Sequence, residues 1–289
     1  MVPSSGLTIR PRRLGELLDE SFRLYFSRFG ALLLTILPAF VPYLVVAGWV
    51  SYRLNRLFPK TSHLTAAQLD AVLTDHAGDL VTLLLILMAA ALLLTPLAYG
   101  AIVRHVVQSP GRQRQQVSIA DNYRFAAGRL LSVIGTQVVR ALVFIVLIGG
   151  GSVLFAWLAR SSGGAAGILL VILWSIAALI FFIWWAVQFS LAVYVALVEP
   201  MSGWKALMRS WHLVTGNFWR TLGYYIIVQV LVAAVTYGLG LVAQVAHNEL
   251  LSLAVSGALN LVTEPFVVVA MTFLYLDLRV RRDGSADPV

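Results

Sequence analysis

The chain has 289 residues, of which 60% are hydrophobic and 12% are charged, and it contains no cysteine. Soluble domains carry about 25% charged residues, so this composition predicts an integral membrane protein. The lack of cysteine excludes disulfides, thiolate metal sites and a cysteine nucleophile. The net charge is +8. Because its arginines cluster beside apolar runs, anionic lipid head groups are favoured as the partner and nucleic acid is not.

Three stretches place an amphipathic segment directly before an apolar run, at 19–36, 120–135 and 203–223. In the last of them apolar residues recur every three or four positions, which predicts one face of a helix. The residues of this stripe are Trp204, Leu207, Met208, Trp211, Val214 and Phe218. A half-apolar helix before a fully apolar one is typical of a segment that lies on a bilayer surface.

The three stretches align when Ser21, Asn122 and Ser210 are placed in one column. Aromatic residues then share the next column, which holds Phe22, Tyr123 and Trp211. The alignment predicts a threefold internal repeat of a surface helix, a spanning helix and a return helix. The repeat units are about 14–107, 118–198 and 202–278.

Six apolar runs are long enough to cross the roughly 30 Å hydrocarbon core of a bilayer. They cover 31–50, 80–107, 130–158, 168–198, 221–245 and 250–276. The predicted fold is therefore all-α, a single membrane domain with six transmembrane helices and three cytoplasmic amphipathic surface helices. A polar stretch at 51–79 separates the first two spans, and flexible cytoplasmic tails are predicted at 1–13 and 279–289.

The distribution of lysine and arginine predicts the orientation. Sixteen of the 21 flank one side of the spans, four flank the other, and Arg140 lies inside a span. The positive-inside rule then places both termini and the three surface helices in the cytoplasm, as expected for a bacterial inner-membrane protein. Seven of these residues, here called the basic collar, are the candidates for lipid contact: Arg23, Arg28, Arg124, Arg129, Lys205, Arg209 and Arg220.

Arg140 in the third span and Glu264 in the sixth are charges inside the bilayer, and each alone would cost several kcal/mol. One interpretation is that they pair in the bundle interior. The alternative is that Arg140 reaches the head groups while Glu264 is protonated or capped by Asn260. Further polar residues of the spans are Gln137, Gln188 and Gln229. They either line a polar pocket or form interhelical hydrogen bonds, worth about 0.6 kcal/mol each.

No pattern in the sequence indicates catalysis. The five histidines are scattered, with no two at positions i and i+4, so no metal site is predicted. The phosphate-loop, zinc-protease and serine-hydrolase motifs do not occur. We therefore expect no enzyme activity and no cofactor. Asp277 and Asp283 are expected to pair with Arg279, Arg281 and Arg282.

Three segments carry a resemblance to a known family: LGELLDESFRLYFSRFG near the start, RSWHLVTGNFWRTLG at 209–223 and LYLDLRVRRDG at 274–284. Together they resemble the glycerophosphoryl diester phosphodiesterase membrane domain, which is similar to the six-span YciC-type inner-membrane proteins. Some relatives fuse this membrane part to a soluble phosphodiesterase barrel. The His- and Glu-bearing motifs of that barrel are not found here, so the resemblance implies a membrane bundle and transfers no catalytic residue.

The leading hypothesis is a non-enzymatic scaffold or accessory subunit that engages anionic lipid and a protein partner through the basic collar. The second is a transporter or channel-like protein that uses the Arg140 and Glu264 region. The third is the membrane anchor of a lipid-modifying enzyme.

Overall fold

A computed structural model gives the structure of residues 12–57, 74–107, 118–244 and 249–284. These described residues form helices and contain no strand, and six of the helical segments are long and apolar enough to span a membrane. The prediction of an all-α, multi-pass membrane protein is confirmed at this level. The 58–73 part of the polar stretch lies outside the described residues.

The helices follow one another along the chain with short connections. They are α1 (Leu14–Ser27), α2 (Phe29–Leu57), α3 (Ala77–Val107), α4 (Ile119–Phe144), a π-helical turn (Ile145–Gly149), α5 (Gly150–Ser162), α6 (Gly164–Gln188), α7 (Ala192–Val198), α8 (Trp204–Val214), α9 (Phe218–Gln244) and α10 (Glu249–Asp283). Helix α10 continues past residue 278, where the sequence predicts the start of a flexible tail.

The middle amphipathic segment is not a separate helix, because α4 runs unbroken from residue 119 to residue 144. In the third segment, by contrast, α8 ends at Val214, and Gly216 adopts a φ of 84° before α9 begins. In the middle segment, the positions aligned with the end of α8 are Ala126 and Ala127, and alanine favours helix strongly. The helical hydrogen bonds therefore continue through it.

The fourth span is divided in two. Helix α6 ends at Gln188, and α7 begins at Ala192. At the break the amide of Phe189 donates to Trp185 O at 3.1 Å, and that of Ala192 donates to Phe189 O at 3.3 Å. The predicted 31-residue run is too long for a straight span, and the turn shortens it without leaving these amides unpaired.

The chain forms two compact units. The first contains the described parts of Met1–Ser21, Leu131–Val230 and Ala270–Val289. Its core is aromatic: Trp185, Phe189, Ala192 and Leu207 are buried against one another, and α4, α6 and α8 contribute the surrounding side chains.

The α5–α6 hairpin of the first unit depends on glycine. A Cβ added at Gly151 would overlap the indole of Trp174, and one added at Gly167 would overlap the carbonyl oxygen of Ala159. The sequence run Gly149–Gly151 therefore permits a close helix approach, as is common between membrane helices.

The second unit contains Phe22–Leu130 and Leu231–Val269, and α2 packs along α3 within it. The hydroxyl of Tyr123 donates to Thr35 O at 2.8 Å and accepts from the amide of Ala39 at 3.2 Å. An uninterrupted helix would join that amide and that carbonyl directly. Tyr123 therefore bridges α2 beside Pro38, where a proline disturbs the helical hydrogen bonds.

Candidate functional site

Asp277, on the last turns of α10, is the centre of a polar network in the first unit. Its side chain is completely buried. The backbone amide of Arg12 donates to its Oδ1 at 2.8 Å, while Arg220 and Arg281 each donate to its Oδ2 at 2.9 Å. This carboxylate therefore has charge-assisted partners from three separate segments of the chain.

The N-terminal segment before α1 is held by the same network. The carbonyl of Arg12 accepts from Arg220 at 2.6 Å and from Arg281 at 2.7 Å. Its side chain pairs with Glu20 at 2.6 Å. Arg12 thus joins α1 to the start of α9 and the end of α10. Arg12 and Arg13 lie in the segment for which the sequence predicts a flexible tail.

Glu199 is the second buried carboxylate of the first unit, with 4% of its surface exposed. The hydroxyl of Tyr275 donates to Oε1 at 2.8 Å, and Arg209 Nε donates to Oε2 at 3.1 Å. The other end of the Arg209 guanidinium pairs with Asp283 through both of its terminal nitrogens. These hydrogen bonds raise the pKa of Arg209 above its ordinary value, and the bond to Asp283 has the largest effect. Since these partners favour the charged form of the Arg209 guanidinium, we interpret this network as structural.

The expected pairing of the C-terminal carboxylates is partly confirmed. Asp277 pairs with Arg281, and Asp283 lies 3.9 Å from Arg279. The structure adds Arg209 and Arg220 as partners, both of which the sequence assigns to the basic collar. Sequence reasoning missed Glu199. Its signal is a lone carboxylate at the end of the apolar run FSLAVYVALV, where an unpaired charge would be costly.

Gln188 is buried and joins the ends of two helices in the first unit. Its Nε2 donates to Thr215 Oγ1 at 2.9 Å and to Trp211 O at 3.3 Å, at the end of α8. Ser210 Oγ in turn donates to the carbonyl of Gln188 at 2.9 Å, at the end of α6. Terminal carbonyls of helices need such partners. The contacts of Gln188 therefore favour a role in interhelical hydrogen bonding over a role in lining a polar pocket.

The faces of α8 differ from the predicted stripe. Its buried residues are Ala206, Leu207, Ser210, Leu213 and Val214. Trp204 and Trp211 are 54% and 38% exposed. The predicted stripe therefore divides between a protein-facing side of small and aliphatic residues and an exposed aromatic edge. An exposed tryptophan beside a lysine is typical of the membrane interface.

In the second unit Glu264 accepts a hydrogen bond from the hydroxyl of Tyr99 at 3.0 Å. Glu264 directly precedes Pro265 of α10, and Tyr99 lies three residues after Pro96 of α3. Arg140 belongs to the first unit, where Tyr225 lies within electrostatic range of it. The pairing of Arg140 with Glu264 stays a prediction.

Helix α1 contacts α10 around Pro265 within the second unit. The hydroxyl of Tyr25 donates to Val262 O at 2.8 Å, and the ring of Phe22 stacks on that of Phe266 with centroids 4.7 Å apart. A proline weakens the helical hydrogen bonds of the preceding turn, so Tyr25 supplies a donor to a carbonyl of that turn. Burial raises the pKa of Tyr25 to about 12.

The remaining predicted site residues are distributed over the helices. Gln137, Gln229 and Asn260 are half-buried. In the basic collar, Arg124 and Lys205 are exposed and Arg28 is half-buried, whereas Arg23 and Arg129 have interaction partners within the protein. Lipid contact by any of these residues stays a prediction. Among the described residues no cluster of three or more histidine, aspartate or glutamate side chains could hold a metal ion.

No protein-family model, curated protein or solved structure matches this chain.

Proposed function

We propose that the chain is a non-enzymatic membrane scaffold or accessory subunit that engages anionic lipid and a protein partner through its basic collar. The observation that supports it is the ion-pair network of the first unit. Two buried carboxylates there hold Arg12, Arg209, Arg220 and Arg281 in fixed positions. A surface built this way is rigid, because breaking a buried pair costs several kcal/mol.

The network assigns different roles to different arginines. Arg209 forms ion pairs with Glu199 and Asp283, and Arg220 forms one with Asp277. In this proposal these two arginines therefore organise the surface. The exposed Arg124 and Lys205 are the residues that meet head groups. Each exposed cation near an anionic bilayer contributes about 1 kcal/mol of attraction.

Several finer features belong to the same proposal. The termini and the basic collar face the cytoplasm of a bacterial inner membrane, α1 and α8 lie along its surface, and the chain resembles the phosphodiesterase membrane-domain family. The threefold repeat is supported by burial: Ser21, Asn122 and Ser210, which share one aligned column, are all completely buried.

The lipid part of the proposal is tested by thermal unfolding in nanodiscs with increasing phosphatidylglycerol. We expect the wild-type midpoint to rise with the anionic fraction and to lose much of that rise in high salt. The double variant Arg124→Gln/Lys205→Gln should respond less. The matched control Arg53→Gln/Arg56→Gln removes the same charge at the exposed end of α2. Equal responses of the two double variants, or no anionic preference in the wild type, would contradict the proposal.

The Tyr99–Glu264 hydrogen bond favours transport as a second candidate function, because a carboxyl group inside a span is typical of ion and proton pathways. A water-filled path to Glu264 is required for it. Since the chain has no cysteine, single cysteines at Glu264, Asn260 and Gln188 can be treated with aqueous thiol reagents. Reaction at Glu264 and Asn260 but not at the buried Gln188 would support a path, and no reaction at any position would favour the scaffold.

A further inference from the structure

Helices α5 and α6 leave an open groove at the tip of their hairpin, within the first unit. Its volume is about 490 Å³, inside the range of about 300–1,000 Å³ that is usual for small-ligand sites. The two helices touch at Gly167, where an added Cβ would overlap the carbonyl oxygen of Ala159. At Gly163 and Gly164 an added Cβ would meet no atom within 4 Å. The described residues therefore leave space beside the tip that a ligand can enter.

The lining of this groove is apolar apart from a single arginine. Ile168, Val171 and Ile172 of α6 are all exposed along it, and α5 contributes the small side chains of Ala156 and Ala159. None of the lining residues in the described chain is acidic. An apolar surface with one fixed cation is suited to a ligand that is largely hydrocarbon and carries a negative charge.

Arg160 is the charged residue of the lining, and it is exposed. Within the part of the chain that the structure describes, it forms no hydrogen bond or ion pair. The neighbouring hydroxyls are used by the helix itself, since Ser161 and Ser162 donate to the carbonyl of Leu158 at 2.9 Å and 2.8 Å. The guanidinium is therefore available to an anion that enters the groove.

The start of α6 adds a second feature that favours an anion. This helix has 25 residues and begins at Gly164, which lines the groove, without a side-chain cap. The first amides of a helix have no partner within it and carry a partial positive charge. The amide of Gly163 donates to Ala159 O at 3.2 Å, so these amides directly follow the turn of α5 that carries Arg160. Both positive groups border the same end of the groove.

The groove runs in the direction of the spans. From Gly164 to Ile172 it extends about 12 Å along α6, at about 1.5 Å per residue. Both helices belong to candidate membrane spans, and Arg160 lies toward the tip from Ala156. A cation at the end of a span and an apolar channel leading inward match the order of phosphate and acyl chain in a phospholipid.

A second copy of the chain fits this groove less well. Small residues do permit close packing of membrane helices. A symmetric pair, however, would place Arg160 of both copies in one interface, and no lining residue could neutralise them. The charge of the groove therefore favours an anionic lipid.

We propose that the groove binds one anionic phospholipid, with its phosphate at Arg160 and the start of α6 and an acyl chain along Val171 and Ile172. The site is additional to the basic collar, because Arg160 follows the third span in the sequence whereas Arg124 and Arg129 precede it. Its occupancy does not depend on the proposed role of the collar.

The test is native mass spectrometry of the full-length chain, titrated separately with phosphatidylglycerol and with phosphatidylcholine, which has no net charge. We expect Arg160→Gln to weaken the tightest phosphatidylglycerol adduct by about tenfold. Ala156→Leu should do the same, because it fills the groove from an exposed position. The matched controls are Arg56→Gln, at an exposed arginine of α2, and Ala177→Leu, at an exposed alanine of α6 outside the groove.

Weakening in Arg160→Gln and Ala156→Leu, with retention in the two controls, supports the site. Equal weakening in Arg160→Gln and Arg56→Gln overturns it and indicates a general attraction of exposed cations for lipid. Unchanged binding in Ala156→Leu overturns it too, as does equal affinity of the wild type for the two lipids. A wild-type dimer that Ala156→Leu dissociates would assign the groove to a second copy.

The same titration separates this site from the proposed function. The collar variant Arg124→Gln/Lys205→Gln should keep the tightest adduct even where it loses its response to anionic nanodiscs. Loss of that adduct in the collar variant, with retention in Arg160→Gln, would place the lipid at the basic collar and overturn the groove.

Discussion

Asp277 receives hydrogen bonds from a backbone amide and two guanidinium groups while its side chain is completely buried. A buried carboxylate of this kind is stable only because its oxygens are fully occupied. The same reasoning explains why the arginines around it retain 19% to 26% side-chain exposure. Arg220 and Arg281 each place one guanidinium nitrogen on Oδ2 while part of each side chain stays exposed to solvent.

Substituting Asp277 by alanine should lower the free energy of unfolding by about 3–5 kcal/mol, because it leaves Arg220 and Arg281 partly buried and unpaired. Asp277→Asn should cost less, since the amide oxygen still accepts from Arg12. The midpoint of thermal unfolding in detergent measures the effect. Asp79→Ala, at a 57% exposed carboxylate, is the control, and an equal loss in both alanine variants would show that the network contributes little.

Tyr25 gives a pH dependence whose sign follows from its burial. The folded pKa of about 12 lies above the ordinary value of 10.0, so the folded state holds the phenolic proton more tightly. Its contribution to stability is complete below pH 10 and is lost as the pH rises from 10 to 12. Tyr25→Phe should therefore unfold with a shallower pH slope in that window, by up to one proton, than the wild type. A slope in Tyr25→Phe equal to that of the wild type would contradict the assignment to Tyr25.

At the scale of elements, hydrophobic periodicity and run length predicted the helices themselves. Six apolar runs of this length fit the hydrocarbon core of a bilayer, where a helix pairs its own backbone amides and carbonyls. The boundaries were harder to predict. The helix α4 crosses a predicted junction because alanines carry it through, and the fourth run breaks at Phe189–Leu191 without a proline or glycine. The first outcome follows local helix propensity, whereas the second has no local signal and accompanies the contacts of Gln188 with the end of α8.

The polar contacts were predictable only where partners are near in sequence. Asp277 and Arg281 are four residues apart on one helix, a spacing that predicts contact. The partners Glu199 and Tyr275 are 76 residues apart, and Tyr99 and Glu264 are 165 apart. These residues meet only in the folded protein, so the sequence shows the charged residue but not its hydrogen-bond partner.

Neighbouring glycines of the α5–α6 hairpin should respond differently to substitution. Gly151→Ala forces the Trp174 indole to move and should cost about 1–3 kcal/mol, the usual range for overpacking. Gly150→Ala meets no atom within 4 Å and gains helix propensity, so it should be neutral or slightly stabilising. Thermal unfolding of the two variants measures the difference, and similar midpoints would argue against a tight α5–α6 contact.

At the scale of the whole molecule, the burial pattern extends the likeness between the aligned copies beyond a single column. Eleven residues after Ser21, Asn122 and Ser210 the chain has Leu32, Val133 and Thr221, all completely buried. In α4 the two positions lie on one helix, whereas in the other two copies they lie on successive helices, α1 and α2 or α8 and α9, so the shared property is burial at corresponding points of the chain. Chemically different residues at equal burial are what a diverged repeat predicts.

The proposed orientation rests on the charge distribution of the chain and can be tested without altering that distribution. Ser202 precedes α8 and Ser161 lies in the last turn of α5, and both are exposed. Single cysteines at these positions report the two sides of the membrane, because the chain has no other thiol. With a membrane-impermeant maleimide, Ser161→Cys should react in intact cells and Ser202→Cys only in inverted vesicles. The positive-inside rule requires this result, since the arginine-rich ends of the spans resist transfer across the bilayer. The reverse labelling pattern would place the basic collar outside the cell, away from the anionic cytoplasmic leaflet, and would remove the physical basis of the proposed scaffold.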